Sequence, residues 1–336
     1  WINRLLSPLL EKRKQTRPVV LLTGARQTGK SSLLQKNYPD AAYVSLDKPL
    51  LAQEASDNPV SFLRKFSGDT VIIDEIQYAP SLFRALKSLV DEDRDRMGRW
   101  LLTGSQKFSL MKEVSESLAG RISVLSLETL SSKELRECDG IPDSELRKFL
   151  WKGGFPECWK YPNMEIRDFY ASYVQTYLER DLRELLDVKN LADFQRFLTL
   201  CATRCGQLVN FSELAKETGI ALNTAKSWLH ALEISGIVSL LRPFHVNVGK
   251  RVVKSPKLYF SDHGLLSHLL NIEDFDAWNA HYLKGLLWEN VVYSELLKTG
   301  FLQSGKNFYF YRDHSGVEID FVIDRGSRLE LVECKY

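Results

Sequence analysis

The sequence has few cysteines, no long apolar run and almost no net charge, and each shortage excludes a class of protein. Five cysteines in 336 residues, none in a C-x-x-C pair, exclude a disulfide scaffold and indicate a reducing compartment, so we expect a cytoplasmic protein. No apolar stretch approaches the roughly 18 residues of a transmembrane helix, so no membrane partner is expected. A net charge of +2 gives no overall attraction to nucleic acid, so any basic surface must be local.

The rest of the composition is that of a globular chain with several domains. With 44% apolar and 26% charged residues, 336 positions are enough for two or three domains with separate cores. Cys201 and Cys205 lie one helical turn apart, but no histidine cluster accompanies them, which favours core or surface thiols over a zinc site. The chain begins at Trp1 without a methionine, so a missing natural amino terminus and a lost targeting segment stay open.

The strongest motif is GARQTGKS, residues 24–31, between the apolar stretch VVLL and a helical pattern. Strand, glycine-rich loop and helix in this order form a P-loop, in which backbone N–H groups surround phosphate oxygens at a helix amino terminus. Lys30 is expected to reach the β- and γ-phosphates, and the Ser31 hydroxyl to bind Mg²⁺. We therefore predict that ATP and Mg²⁺ bind to the following residues: Gly24, Arg26, Gln27, Thr28, Gly29, Lys30, Ser31 and Ser32.

A second strand pattern, DTVIIDEIQ, ends in two carboxylates. Asp74 and Glu75 follow the apolar residues directly, so they should lie at the carboxyl edge of the sheet, beside the P-loop. Asp74 would hold Mg²⁺ through water, and Glu75 would polarise the attacking water as a general base. A glutamate directly after the aspartate favours a hydrolysing ATPase over a small kinase, which needs no such base.

Two further polar positions are candidate catalytic residues, each with an ordinary alternative. The strand pattern RWLLTGSQ ends at Thr103, Gly104 and Ser105, where a hydroxyl could orient the lytic water or touch the γ-phosphate, or Ser105 could cap a helix. Arg121 precedes a fifth strand and could stabilise transition-state charge, in cis or from a neighbouring subunit. It could equally be a solvated arginine at a strand edge. The helical pattern at residues 80–91 predicts cover for the sheet.

Residues 195–262 contain the pattern of a winged helix. We predict a first helix at residues 211–218, a break at Gly219, a second helix capped by Asn223 and running to about residue 235, and then a hairpin. No acidic residue occurs between positions 234 and 261, so the hairpin would contact phosphates, or it could instead dock on a protein or serve as a lid element. The candidate DNA contacts are Asn223, Thr224, Lys226, Ser227, His230, Arg242, Lys250, Arg251, Lys254 and Lys257.

The last 70 residues predict an amphipathic helix and three strands, NFYFYRD, GVEIDFVI and LELVECKY. Glu289 lies in the helix, Asp320 on the second strand, and Glu333 and Lys335 share a face of the third strand if it stays regular. If the turn between the strands brings these groups together, the carboxylates could hold a second divalent ion, Mg²⁺ or Mn²⁺, and Lys335 could orient a water. The alternative is the ordinary polar face of a sheet.

Together, GARQTGKS, VIIDEIQ, LTGSQ and LAGR resemble the AAA-type ATPases of a large prokaryotic family, as do the later segments GGFPE and YLERDLREL. The resemblance implies an α/β fold with a parallel P-loop sheet domain at residues 1–130, in which the strand of the third motif lies between those of the P-loop and Asp74. It also implies a helical lid at 131–194 and, beyond the winged helix at 195–262, a restriction-endonuclease-like α/β domain at 263–336 that we expect to be truncated at its carboxyl end. Gln77 would then belong to the nucleotide site, and Arg180 would sense the nucleotide from the lid.

The expected activity is Mg²⁺-dependent ATP hydrolysis by a homo-oligomer that acts with DNA. Two alternatives remain from the same residues. One is a metal-dependent DNA nuclease gated by the nucleotide, and the other is a nucleotide-dependent switch that recruits a protein partner.

Overall fold

The computed structural model describes residues 1–104, 117–138, 141–178, 191–244, 255–313 and 316–336. The chain divides into two units. The first comprises Asn3–Glu128, and the second comprises Trp1–Ile2 together with Thr129–Tyr336. The predicted lid, winged helix and carboxyl-terminal domain all fall in the second unit, where residues from all three share one hydrophobic core. Their separation into three domains stays a prediction.

The first unit is built on a five-stranded parallel sheet. The strands are β1 Val19–Thr23, β2 Ala42–Ser45, β3 Val71–Asp74, β4 Trp100–Gly104 and β5 Ile122–Ser126. Their order in the sheet is β2-β3-β4-β1-β5, which confirms the predicted α/β class and the position of the third-motif strand, β4, between β3 and β1. The helices are α1 Ser7–Lys14, α2 Lys30–Asn37, α3 Pro49–Asp57, α4 Pro59–Arg64 and α5 Leu82–Glu92, with a 3₁₀ turn at Ile76–Tyr78.

Both faces of this sheet are covered, which explains why its central strands are continuously apolar. Val19 and Leu21 of β1 pack into a core with residues of α3, α4 and α5, whereas Val20 and Leu22 face a second core with residues of α1 and α2. Helix α5 therefore covers the sheet, as its sequence pattern predicted.

The second unit contains most of the shorter helices and two antiparallel sheets. Its helices are α6 Ser132–Arg136, α7 Asp143–Leu146, α8 Phe149–Lys152, α9 Pro156–Lys160, α10 Ile166–Ser172, a π-helical segment Tyr173–Leu178, α11 Leu191–Thr203, α12 Phe211–Thr218, α13 Leu222–Ile234, α14 His263–Leu269, α15 Phe275–Ala280 and α16 Lys284–Lys298. Its strands are β6 Val238–Leu241, β7 Lys257–Phe260, β8 Phe308–Arg312, β9 Glu318–Asp324 and β10 Leu329–Val332. Strands β6 and β7 pair with each other, and the larger sheet has the order β10-β9-β8.

The predicted pair of helices and the hairpin are present, with one correction. Helix α12 begins after Asn210, whose side chain accepts the N–H groups of Ser212 and Glu213, and it ends at Gly219 with a left-handed backbone. Helix α13 begins directly after Ala221, so the prediction that Asn223 caps it was wrong. The turn after Gly219 is too short to leave Asn223 outside the helix, and Asn223 lies exposed in its first turn.

The cysteines are thiols, as expected. All five are free, and Cys201 and Cys205 are buried in the core of the second unit. None of the helices in the described part of the chain combines the length and apolar character that a membrane crossing needs.

Candidate nucleotide-binding site

The segment between β1 and α2 has the backbone that a phosphate-binding loop requires. Gly24 has φ +141°, and a Cβ there would clash with the carbonyl oxygen of Leu127. Gly29 precedes α2 with φ +91°, a left-handed conformation that glycine adopts without strain. All eight predicted loop residues therefore lie between the end of β1 and the first turn of α2, where backbone N–H groups are available to an anion.

Lys30 lies inside this loop and is only 5% exposed. Its Nζ donates hydrogen bonds to the carbonyl oxygens of Gly24, at 3.0 Å, and Ala25, at 2.8 Å. Burial lowers the pKa of Lys30 to about 8, although the charges of Glu75 and Asp74 act in the opposite direction. Phosphate oxygens bound in the loop would therefore raise the pKa of Lys30 again and favour its protonated form.

We expect ATP binding to take up a proton at alkaline pH. A group with a pKa of about 8 is mostly neutral at pH 9, and bound phosphates would raise that pKa, so binding should take up roughly one proton per site at pH 9 and almost none at pH 7. Affinity should correspondingly fall as the pH rises above 8. Calorimetry in two buffers with different ionisation enthalpies measures this uptake, and equal heats in both buffers at pH 9 would contradict the assignment.

Asp74 is the centre of a group of hydroxyls at the carboxyl edge of the sheet. Ser31 Oγ donates to its Oδ1 at 2.6 Å, Thr103 Oγ1 donates to the same oxygen, and Tyr43 OH donates to Oδ2 at 2.8 Å. These oxygens fit Mg²⁺, which is held in nucleotide sites by one or two protein oxygens together with phosphates and water. Ser31 and Asp74 are the residues that would hold it.

Glu75 follows Asp74 in a left-handed conformation, with φ +57°, which is uncommon for a residue with a Cβ. Its N–H donates to Thr103 Oγ1 at 3.0 Å, and its carboxylate accepts a hydrogen bond from Gln77 Nε2. Such conformations cost about 1–3 kcal/mol and concentrate at functional sites, which supports a role for this carboxylate. The structure also places Gln77 at the site, where the family resemblance implied that it belongs.

Two residues at this site were not predicted from the sequence. Arg4 is 7% exposed, and its guanidinium donates to the carbonyl oxygens of Thr28 and Glu128, at 2.8 and 2.6 Å. It therefore fixes the backbone of the loop from a position 24 residues upstream. Tyr43 reaches Asp74 from the neighbouring strand β2. Neither residue belongs to a local motif, so no sequence signal marks them.

Arg121 is not brought to the P-loop. It immediately precedes β5, whose first residue pairs with Val19 at the start of β1, so it lies at the amino edge of the parallel sheet, whereas the loop lies at the carboxyl edge. Its guanidinium forms an ion pair with both carboxylate oxygens of Asp91, at 2.8 and 2.9 Å. A catalytic role in cis is therefore not supported, and a role in a neighbouring subunit stays a prediction. Ser105 and Arg180 lie outside the described residues.

The candidate DNA contacts divide into three groups. Asn223, Lys226, Ser227 and His230 are exposed on α13, with Thr224 partly buried beside them, and Arg242 is exposed after β6. Lys250, Arg251 and Lys254 lie outside the described residues. The expectation that Lys257 belongs to the basic surface was wrong, because it lies on β7 and is only 2% exposed.

The predicted carboxyl-terminal metal site is not formed as expected. Glu289 and Asp320 both approach Lys257, whereas Glu333 and Lys335 are exposed. In the segment after β10, it is the backbone N–H of Cys334 that donates to Asp320 Oδ2, at 2.8 Å. Within the described ranges, no group of three or more histidine, cysteine or acidic side chains is arranged to hold a metal ion.

A family model for an AAA domain agrees with the geometry of the first unit. An AAA domain matches residues 16–136, and two domains of unknown function match residues 143–276 (DUF8612) and 284–336 (DUF4143). A Walker-type ATPase of Pyrococcus abyssi is 16% identical with a TM-score of 0.48, covering 79% of this chain and 94% of its own. A RuvB variant of Thermotoga maritima is 18% identical with a TM-score of 0.34, covering 70% and 87%.

Three curated relatives align along almost the whole chain. Uncharacterized protein MJ1544 of Methanocaldococcus jannaschii is 23% identical over 359 residues, 95% of this chain and 74% of its own length. Uncharacterized proteins Rv2008c of Mycobacterium tuberculosis and Mb2031c of Mycobacterium bovis are each 35% identical over 317 residues, 93% of this chain and 68% of their own length. The chain therefore belongs to the family of these two mycobacterial proteins, and its first unit is an AAA-type, nucleotide-binding P-loop ATPase domain.

Proposed function

We propose that the protein hydrolyses ATP in a Mg²⁺-dependent reaction and acts with DNA. The observation that carries the first part is the convergence of Ser31, Asp74, Glu75 and Thr103 at the carboxyl edge of the sheet, beside the P-loop. A loop that only held a nucleotide would need neither the second carboxylate nor its strained backbone.

The binding step uses the loop and the lysine. Backbone N–H groups at the start of α2 surround the β-phosphate, and Lys30 exchanges its two carbonyl acceptors for phosphate oxygens. Arg4 keeps the loop in shape through the Thr28 carbonyl. When bound by Ser31 and Asp74, Mg²⁺ would neutralise charge on the β- and γ-phosphates.

The chemical step uses Glu75. Its carboxylate accepts a proton from the attacking water, and the amide of Gln77 orients that carboxylate in the structure. Thr103 joins the two acidic residues, because its hydroxyl donates to Asp74 and accepts the N–H of Glu75. A movement of Asp74, the metal ligand, would therefore shift Glu75, the base, through Thr103.

Removing the Ser31 hydroxyl should raise the Mg²⁺ requirement. Ser31→Ala deletes one predicted ligand and the hydrogen bond to Asp74, so we expect half-maximal turnover at about tenfold higher Mg²⁺. Phosphate release measured over a range of Mg²⁺ concentrations at saturating ATP tests this. Ser88→Ala, at an exposed serine of α5, is the control, and an unchanged Mg²⁺ requirement in Ser31→Ala would contradict the assignment.

DNA association is supported by the exposed polar face of α13 and by the absence of acidic residues between positions 234 and 261. Lys226 and Arg242 are the described basic residues of this surface, and they would contact phosphates without selecting a sequence. The homo-oligomer is a further proposal by analogy with AAA-type ATPases, and the recruitment of a protein partner by a nucleotide-dependent switch is the alternative for the same α13 surface.

We expect Lys226→Ala with Arg242→Ala to weaken binding to duplexes of different sequence equally. The logarithm of the affinity should also depend less steeply on the logarithm of the salt concentration, by about one unit per lost phosphate contact. Fluorescence anisotropy over a salt series measures both quantities, with Lys216→Ala on α12 as the control. Unchanged affinity and slope in the double variant would remove DNA from the proposal and favour protein docking.

A further inference from the structure

A buried lysine in the second unit is surrounded by three carboxylates. Lys257 is 2% exposed, and its Nζ lies 3.0 Å from Glu289 Oε1, 2.5 Å from Glu318 Oε1 and 4.0 Å from Asp320 Oδ1. Two of these acidic residues, Glu289 and Asp320, are those that the sequence had suggested as metal ligands. The centre of the cluster is thus a protein ammonium group.

An irregularity in the larger sheet brings the acidic residues to this position. Tyr309 pairs with Val322 but Tyr311 pairs with Ile319, so two residues of β9, Asp320 and Phe321, lie opposite the single residue between the tyrosines. This is a β-bulge, which reverses the alternation of side chains along the bulged strand. Consequently both Glu318 and Asp320 reach Lys257 from a strand whose next residues pack in the core.

Each carboxylate also has a second polar partner from the protein. Tyr259 OH donates to Glu289, the Arg312 guanidinium lies 3.5 Å from Glu318 Oε2, and the Cys334 N–H donates to Asp320 Oδ2 at 2.8 Å. Buried charges are tolerated when they are paired and hydrogen-bonded in this way. Each carboxylate of the cluster therefore has two protein partners, and the side chain of Glu318 is also 31% exposed.

The pKa shifts of the cluster reflect its ion pairs and its burial. Burial alone would lower the pKa of Lys257, but the charge of Glu289 and the hydrogen bonds with Glu318 and Glu289 outweigh burial, so that the pKa is raised, whereas burial raises the pKa of Glu289.

We propose that Lys257 is the resident cation of this cluster and takes the place that a divalent metal would occupy between Glu289 and Asp320. A metal ion binds carboxylate oxygens at about 2.0–2.6 Å and carries two positive charges, so it cannot occupy the space between these carboxylates while the ammonium lies among them. The ion pairs of Lys257 then hold α16, which carries Glu289, and β9, which carries Glu318, to β7. The lysine thereby closes the cluster to a divalent metal.

The test compares Mn²⁺ binding by the full chain with and without the lysine. Every protein carries Asp74→Asn and is free of nucleotide, so that the P-loop site does not contribute. We expect no saturable Mn²⁺ binding by this parent in calorimetric titrations. Lys257→Met keeps most of the side-chain length but leaves the carboxylates without their cation. It should lower the melting temperature in EDTA, and should bind one Mn²⁺ ion about tenfold or more tightly than the parent.

Two controls make the test specific. Adding Asp320→Asn to Lys257→Met should abolish the gained Mn²⁺ binding, and Lys306→Met, at an exposed lysine of the same unit, should behave as the parent. Saturable Mn²⁺ binding by the parent that Asp320→Asn removes would overturn the proposal, and so would a Lys257→Met protein with unchanged melting temperature and no Mn²⁺ response. The measurement on the parent requires no lysine variant, so saturable Mn²⁺ binding there overturns the proposal even if Lys257→Met does not fold.

Discussion

Glu75→Gln should bind ATP normally and fail to hydrolyse it. Glutamine has nearly the same size as glutamate but cannot accept a proton from water, and general-base catalysis contributes about 10²–10⁴-fold to a rate. The phosphates are held instead by the loop and by Lys30, which the substitution leaves in place. We therefore expect kcat to fall by about 10²-fold or more, with the dissociation constant for ATP changed by less than about threefold.

Single-turnover hydrolysis and equilibrium binding, measured on the same preparation, separate these two effects. Glu92→Gln is a matched control, because Glu92 is an exposed glutamate of the same unit that pairs with Arg64 on the surface. A Glu75→Gln protein that hydrolyses ATP at the parent's rate would show that another group is the base. Loss of binding together with turnover would show that Glu75 shapes the pocket instead.

Asp262→Ala should destabilise the second unit more than any surface substitution. The carboxylate is 2% exposed and accepts hydrogen bonds from the N–H groups of Gly154, Gly264 and Leu265 and from Tyr170 OH. It thereby ties the GGFPE segment to the start of α14. Alanine leaves these buried donors unpaired and also removes a helix cap, so we expect a loss of about 3–5 kcal/mol in the free energy of unfolding.

Urea unfolding followed by tryptophan fluorescence measures this loss. Asp276→Ala, at an exposed aspartate in the first turn of α15, should change stability by less than about 0.5 kcal/mol. A similar stability for the two variants would mean that the hydrogen bonds of Asp262 are replaced by water. Retained ATP binding by Asp262→Ala would further show that the first unit folds without this contact.

The parts of the fold that depend on local sequence could be predicted. The P-loop follows from one motif because the strand, the glycines and the helix are contiguous, and α12 was predicted at residues 211–218 because its helical pattern is broken by Gly219. The order of β4, β3 and β1 came from the family resemblance and was correct.

The parts that depend on distant residues could not be predicted. Arg4 and Tyr43 reach the nucleotide site across 24 and 31 positions of sequence, with no motif of their own. For Arg121 the sequence left a catalytic role and a solvated position at a strand edge open, because the motif did not show which edge of the sheet the residue occupies. Lys257 was assigned to a basic surface because the sequence near it is basic. The helix and the bulged strand that bury it follow later in the chain, so its burial could not be predicted locally.

If Lys30, Ser31, Asp74 and Glu75 form a working ATPase site, ATP hydrolysis needs both Mg²⁺ and the lysine. Phosphate release from ATP is therefore measured for the full chain, with Mg²⁺ and with EDTA, beside Lys30→Ala. We expect release that requires Mg²⁺ and falls to background in Lys30→Ala. Release that persists in Lys30→Ala or in EDTA, or no release by the parent chain with Mg²⁺, would contradict it.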